Sequence, residues 1–187
     1  MKQIIDNYTK LLSEVLHYPE MNLVINLGEA IEKTWATGNS IFICGNGGSA
    51  GNANHIANDL IFGAGRGMGK GFKVESLSAN PAVITCLAND IGYEYIYSEQ
   101  LKVKANYGDL LLVLSGSGNS QNIINALKVG NSLGMETFAI LGYDGGKCKS
   151  EAKFPIHFPV NDMQVSEDLQ LICCHICMQW LSKKEKI

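Results

Sequence analysis

Apolar side chains recur at steps of three and four through Ile4, Ile5, Tyr8, Leu11, Leu12 and Val15, and again through Leu23, Val24, Leu27, Ala30, Ile31 and Trp35. Such steps gather each set on one face, so the spacing predicts amphipathic helices over 2–18, closed by Pro19, and from 23 up to Gly38. After Gly38 the pattern changes. Residues 41–44, 109–114 and 137–141 are short apolar runs without clean alternation, as expected of strands buried on both faces. Two shorter strands are predicted at 73–78 and 154–158. Helical patterns fill the intervals at 49–62, 81–88, 93–103 and 121–132, and a last helix covers 164–181; Pro81 suits a first helical turn.

Strands that alternate with helices indicate a largely parallel sheet covered on both sides. The expected fold is therefore an α/β three-layer sandwich around a mostly parallel sheet, preceded by two N-terminal helices. A chain of 187 residues supplies one sizeable core and little more, so residues 1–187 are read as a single domain. The leading helices, 1–38, carry apolar surface that no strand pair claims. They are expected to pack between subunits.

Composition narrows the function classes. An apolar fraction of 46% with a net charge of -3 describes an ordinary globular protein, and no stripe of basic and aromatic residues marks a nucleic-acid surface. No run approaches 18 apolar residues and the N-terminus lacks an apolar stretch followed by a processing site, so neither membrane insertion nor secretion is expected; the expected compartment is the cytoplasm. Six cysteines fit that setting. Cys44 and Cys86 fall in core-like segments and Cys173, Cys174 and Cys177 crowd one helical segment, the usage of reduced, small hydrophobic residues. The C-x-x-C match at 174–177 sits in mid-helix, away from the exposed helix start that redox chemistry uses.

Two glycine-rich turns carry the candidate chemistry. Gly45-Asn46-Gly47-Gly48-Ser49 follows the strand at 41–44 and opens a helix, whose first N–H groups have no partner within the helix and suit an anion. Ser115-Gly116-Ser117-Gly118-Asn119-Ser120 repeats the arrangement after the strand at 109–114, with three hydroxyls and no lysine aimed at a phosphate. Serine–glycine turns are also ordinary loops. Neither turn matches the dinucleotide fingerprint. A third glycine-rich stretch, 63–71, lacks the Ser or Thr of a triphosphate-binding loop and is expected to be a flexible loop with a basic tip at Arg66 and Lys70.

His55 and Asp59, four apart, share one face of the helix after the first turn. The last helix adds Glu167, Asp168 and His175. Two histidines with two carboxylates suit zinc or another borderline divalent ion, or else an acid and a base flanking a carbonyl carbon. The plainer alternative makes His175 a core residue beside cysteines, with Glu167 and Asp168 placed favourably near a helix start.

In order along the chain, GNGGSA followed by His55, Asn89-Asp90 with Gly92-Tyr93 and Gln100, Gly108-Asp109 before the strand ending in SGSGNS, Gly134-Met135, Gly145-Gly146 and the late helix with His175 resemble the phosphoheptose isomerase branch of the sugar isomerase (SIS) domain family. The resemblance spans nearly the whole chain. It implies a flavodoxin-like fold, a homotetramer with clefts between subunits, and isomerisation of sedoheptulose 7-phosphate to D-glycero-D-manno-heptose 7-phosphate for lipopolysaccharide or capsule. It further implies phosphate contacts from Ser115, Ser117 and Ser120 and sugar contacts from Asn46, Gly47, Gly48, Ser49, Asn89, Asp90 and Glu167. One divalent metal per subunit, zinc by the resemblance, would be held by His55, Asp59, Glu167 and His175, with Asp59 and His175 moving the proton.

The chain departs from the family pattern in three places. Asp59 stands where Glu is usual, Glu167-Asp168 where Gln-Glu is usual, and Asn80 near a position that commonly offers Asp. A carboxylate displaced by about 1 Å can cost on the order of 100-fold in rate. These exchanges leave two other readings open: an isomerase for a different sugar phosphate, and a non-catalytic SIS relative that binds the replication initiator protein. Both histidines favour chemistry; the altered carboxylates favour the alternatives.

Overall fold

The structure is a computed structural model and describes residues 1–65 and 69–184. The tip of the expected basic loop, Arg66 to Met68, lies outside the described residues. Five strands, Ser40–Gly45 (β1), Lys73–Ser76 (β2), Leu110–Ser115 (β3), Glu136–Leu141 (β4) and Phe154–His157 (β5), form one sheet in the order β2-β1-β3-β4-β5. Every pairing is parallel. Successive side chains of a strand point to opposite faces, and here both faces are covered. Ile41, Ile43, Leu110, Leu112 and Leu114 enter one core, while Phe42, Cys44, Leu111 and Val113 enter the other. That is why the strands read as unbroken apolar runs.

Helices Lys2–Val15 (α1), Leu23–Thr37 (α2), Gly48–Asn58 (α3), Pro81–Asp90 (α4), Ser98–Lys104 (α5), Gln121–Ser132 (α6), Gly146–Glu151 (α7) and Met163–Ser182 (α8) complete the chain as described. α2, α3 and α8 cover the first face; α5, α6 and α7 cover the second. Of the two leading helices, α2 buries Val24, Leu27, Ala30 and Ile31 within its own chain. α1 buries only Val15 and leaves Ile4 and Ile5 exposed.

Three elements differ from the sequence pattern. The helix expected over 93–103 breaks into a short turn, Tyr93–Tyr95, and α5, because Tyr97 turns inward to donate its hydroxyl to the carbonyl of Gly45. α7 was not expected, since two glycines open it and its six residues are too few for a periodic pattern. Beyond Asn58 the α3 helix widens into a π-helical stretch, Asp59–Ala64, a local geometry that favours functional positions.

The strand order fixes where a ligand can sit. β2 lies on one side of β1 and β3 on the other, so the chain leaves the carboxyl ends of β1 and β3 in opposite directions and opens a crevice between them. Both glycine-rich turns border that crevice.

Candidate active site

A cavity of about 290 Å³ occupies the crevice and is lined by Asn46, Gly47, Gly48 and Ser49 from the first turn and by Ser115, Ser117 and Ser120 from the second. Among the described residues, no lysine or arginine lines it. An anion would therefore be held by hydroxyls and by backbone N–H groups at the starts of α3 and α6. Glycine is required at two points. Gly118 has a φ of 65°, and a Cβ there would lie 2.0 Å from the carbonyl oxygen of Gly145. At Gly48 a Cβ would lie 2.3 Å from Oε2 of Glu167, so the missing side chain admits that carboxylate to the cavity wall.

The two turns are tied to each other. Asn46 and Asn122 exchange reciprocal amide hydrogen bonds of 2.9 and 2.8 Å, and the Tyr93 hydroxyl donates to Oδ1 of Asn46 at 3.0 Å. Ser115 accepts from the N–H of Gly118 at 3.1 Å, which closes the serine turn on itself.

Further along α3 and α8 a second group assembles. Nε2 of His55 lies 3.0 Å from Nε2 of His175, and Oδ2 of Asp59 lies 3.3 Å from the first and 3.4 Å from the second. Atoms bound to a tetrahedral zinc at about 2.0–2.1 Å stand about 3.4 Å apart, so the three donors have the spacing of one face of such a site. The chemistry and spacing of the three donors fit a divalent ion. The imidazoles are accessible: side-chain exposure is 50% for His55 and 39% for His175.

Of the predicted ligands, His55, Asp59 and His175 come together, whereas Glu167 does not join them: its carboxylate lies at the cavity, against Gly48. Asp168 accepts the hydroxyl of Tyr8, which docks α1 onto α8; burial, and then this bond to a carboxylate, raise the phenol well above its usual pKa. Asn89 and Asp90 lie exposed at the end of α4, hydrogen-bonded to one another at 2.8 Å, and do not line the cavity. Asn80 caps α4 by accepting from the N–H groups of Ala82 and Val83.

Sequence reasoning missed the buried amides behind the cavity. Gln170 is fully buried, donates to Oγ of Ser49 at 3.0 Å and accepts from Nδ2 of Asn52 at 3.0 Å. Its signal was a polar residue at position i+3 from Glu167 on an otherwise apolar helix face. All six cysteines are free; five are buried, whereas Cys86, expected in a core-like segment, is exposed on α4. Burial pushes the thiols of Cys148, Cys173 and Cys177 up to about 12.

A crevice at the β1/β3 switch point, a cavity lined by glycines and hydroxyls and a neighbouring histidine–aspartate group invite comparison with known proteins. The SIS domain family model matches residues 3–142. The chain belongs to the SIS domain family. Among curated relatives, the phosphoheptose isomerase of Aliarcobacter butzleri is 34% identical over 178 residues, covering 90% of this chain and 94% of that protein. That of Trichlorobacter lovleyi is 36% identical over 155 residues, covering 82% and 78%. The SIS fold is shared with a solved phosphoheptose isomerase from Francisella tularensis at a TM-score of 0.88, with 22% identity and coverage of 97% and 98%.

Proposed function

We propose that the chain is an aldose–ketose isomerase of sugar phosphates and that its substrate is sedoheptulose 7-phosphate, converted to D-glycero-D-manno-heptose 7-phosphate for lipopolysaccharide or capsule. The observation that carries this reading is that α3 and α8, which border the cavity through Gly48, Ser49 and Glu167, also carry the His55–Asp59–His175 group.

The phosphate is held by Ser115, Ser117 and Ser120 with the first N–H groups of α6, and Asn46, Gly47, Gly48, Ser49 and Glu167 face the carbon chain. From ketose to aldose, Asp59 takes a proton from C1 while the carbonyl oxygen at C2 gains one from His175, giving an enediol. Return of a proton to C2 and loss of the O1 proton complete the exchange, with no net gain of protons or electrons. A zinc ion at His55, Asp59 and His175, one per subunit, would polarise the carbonyl. Asp59 would then be the weaker base.

The same reading makes the protein a homotetramer of the cytoplasm. Support for assembly comes from Ile4, Ile5, Ile25, Ile176 and Trp180, which are exposed in the single chain. Asn89 and Asp90, away from the cavity of their own chain, would act in a cleft shared between copies. No helix among the described residues is long and apolar enough to cross a membrane.

The test is turnover of sedoheptulose 7-phosphate, alongside pentose and hexose ketose phosphates, in deuterated water with zinc present. Heptose product carrying deuterium at C2 is expected. Turnover of a shorter substrate alone would shift the assignment to that sugar, and no turnover of any would favour the non-catalytic binding relative.

A further inference from the structure

We infer that Gln170 is a positioning residue that fixes the Ser49 hydroxyl as a hydrogen-bond donor toward the bound sugar phosphate. The inference deepens the proposed function and rests on its placing the substrate in the cavity that Ser49 lines. The direction of each bond follows from one group that can only accept. Nδ2 of Asn52 lies 3.0 Å from the backbone carbonyl of Glu167 and 3.0 Å from Oε1 of Gln170. A carbonyl has no hydrogen to give, so the Asn52 amide must present its NH₂ group there. The atom of Gln170 facing that NH₂ must then be its oxygen, and its own NH₂ is left facing Ser49 at 3.0 Å.

Ser49 therefore accepts from Gln170 and cannot donate back to it. A hydroxyl has one hydrogen, and that of Ser49 is free for the cavity. Ser49 is only 4% exposed and Gln170 is fully buried, so water does not compete to scramble the orientation. The relay runs Glu167 carbonyl, Asn52, Gln170, Ser49, and joins α8 to the start of α3. It equips a cavity that no lysine or arginine among the described residues lines with one more donor of set direction.

Two substitutions reverse the relay without removing Ser49. Gln170→Glu offers oxygens to both neighbours, so the Ser49 hydrogen turns to the new carboxylate. Asn52→Asp, at a half-buried position, turns the Gln170 amide over, so that its oxygen takes the Ser49 hydrogen. Each variant is made alone and on top of Ser49→Ala, with KM and kcat for sedoheptulose 7-phosphate from kinetics, its Kd from calorimetry, and thermal stability. Loss of one hydrogen bond to a polar or charged ligand corresponds to about tenfold or more in affinity. KM and Kd should rise by about that factor when Ser49 is present and by far less in the Ser49→Ala background, with kcat little changed. Equal rises in both backgrounds, as an added charge or loosened packing would give, overturn the inference, and so does no rise in either. Should Gln170→Glu fail to fold, Asn52→Asp decides alone. If the wild-type chain binds the ligand without turning it over, the proposed reaction fails while the calorimetric comparison still judges the relay.

Discussion

The cavity between β1 and β3 and the histidine–aspartate group on α3 and α8 are neighbours built on different principles. The cavity is made largely by backbone: glycines where no Cβ fits and helix starts, backed by the buried amides of Asn122, which holds Asn46, and Gln170, which holds the Ser49 hydroxyl. The histidine group is made by three side chains, half-open to solvent, near the exposed Ile176. The cavity thus rests on the fold of the chain, whereas the histidine group rests on a few partly exposed side chains.

The sharpest way to break this division is His175→Ala. Turnover should fall by about 10³, within the range of lost acid–base catalysis, and bound zinc measured by elemental analysis should drop to background. Ser117→Ala with Ser120→Ala should act on the other region. Calorimetry should show affinity for the sugar phosphate falling by roughly 10- to 100-fold while the unphosphorylated sugar is little affected. Equal losses for both ligands would deny the cradle its phosphate. Ile25→Asp, at a position 60% exposed on α2, should convert the assembly to monomers in sedimentation equilibrium while leaving each chain folded. A tetramer that survives it would remove that face from the interface. The smallest effect is on stability. Gly118→Ala should cost about 1–3 kcal/mol and lower the melting temperature by roughly 3–10 °C, whereas His55→Ala at a half-exposed position should leave that of the metal-free protein nearly unchanged.

The two regions also differed in how legible they were. Strands, their turns and the serine hydroxyls were plain in the sequence, because a strand buried on both faces and a glycine-rich exit leave local patterns. The pairing of His55 with Asp59 was equally visible, since it is helical spacing. That His175 meets them, and that Glu167 does not, is a matter of how α3 crosses α8, which no local pattern carries. Gln170 and Asn122 were overlooked because a buried amide has no periodic signature; it is recognisable only once its partners are in place. The break before α5 was hidden for the same reason, as Tyr97 leaves the helical pattern to reach Gly45, far away in sequence.

The division of labour is tested most directly by Asp59→Asn, assayed for turnover of sedoheptulose 7-phosphate and titrated with the same ligand. The substitution keeps the shape of the side chain, removes the base, and touches none of Ser115, Ser117 and Ser120. The expected result is turnover lower by about 10³ with Kd within a few-fold of the wild type. Retained turnover, or a loss of affinity as large as the loss of rate, would contradict the account.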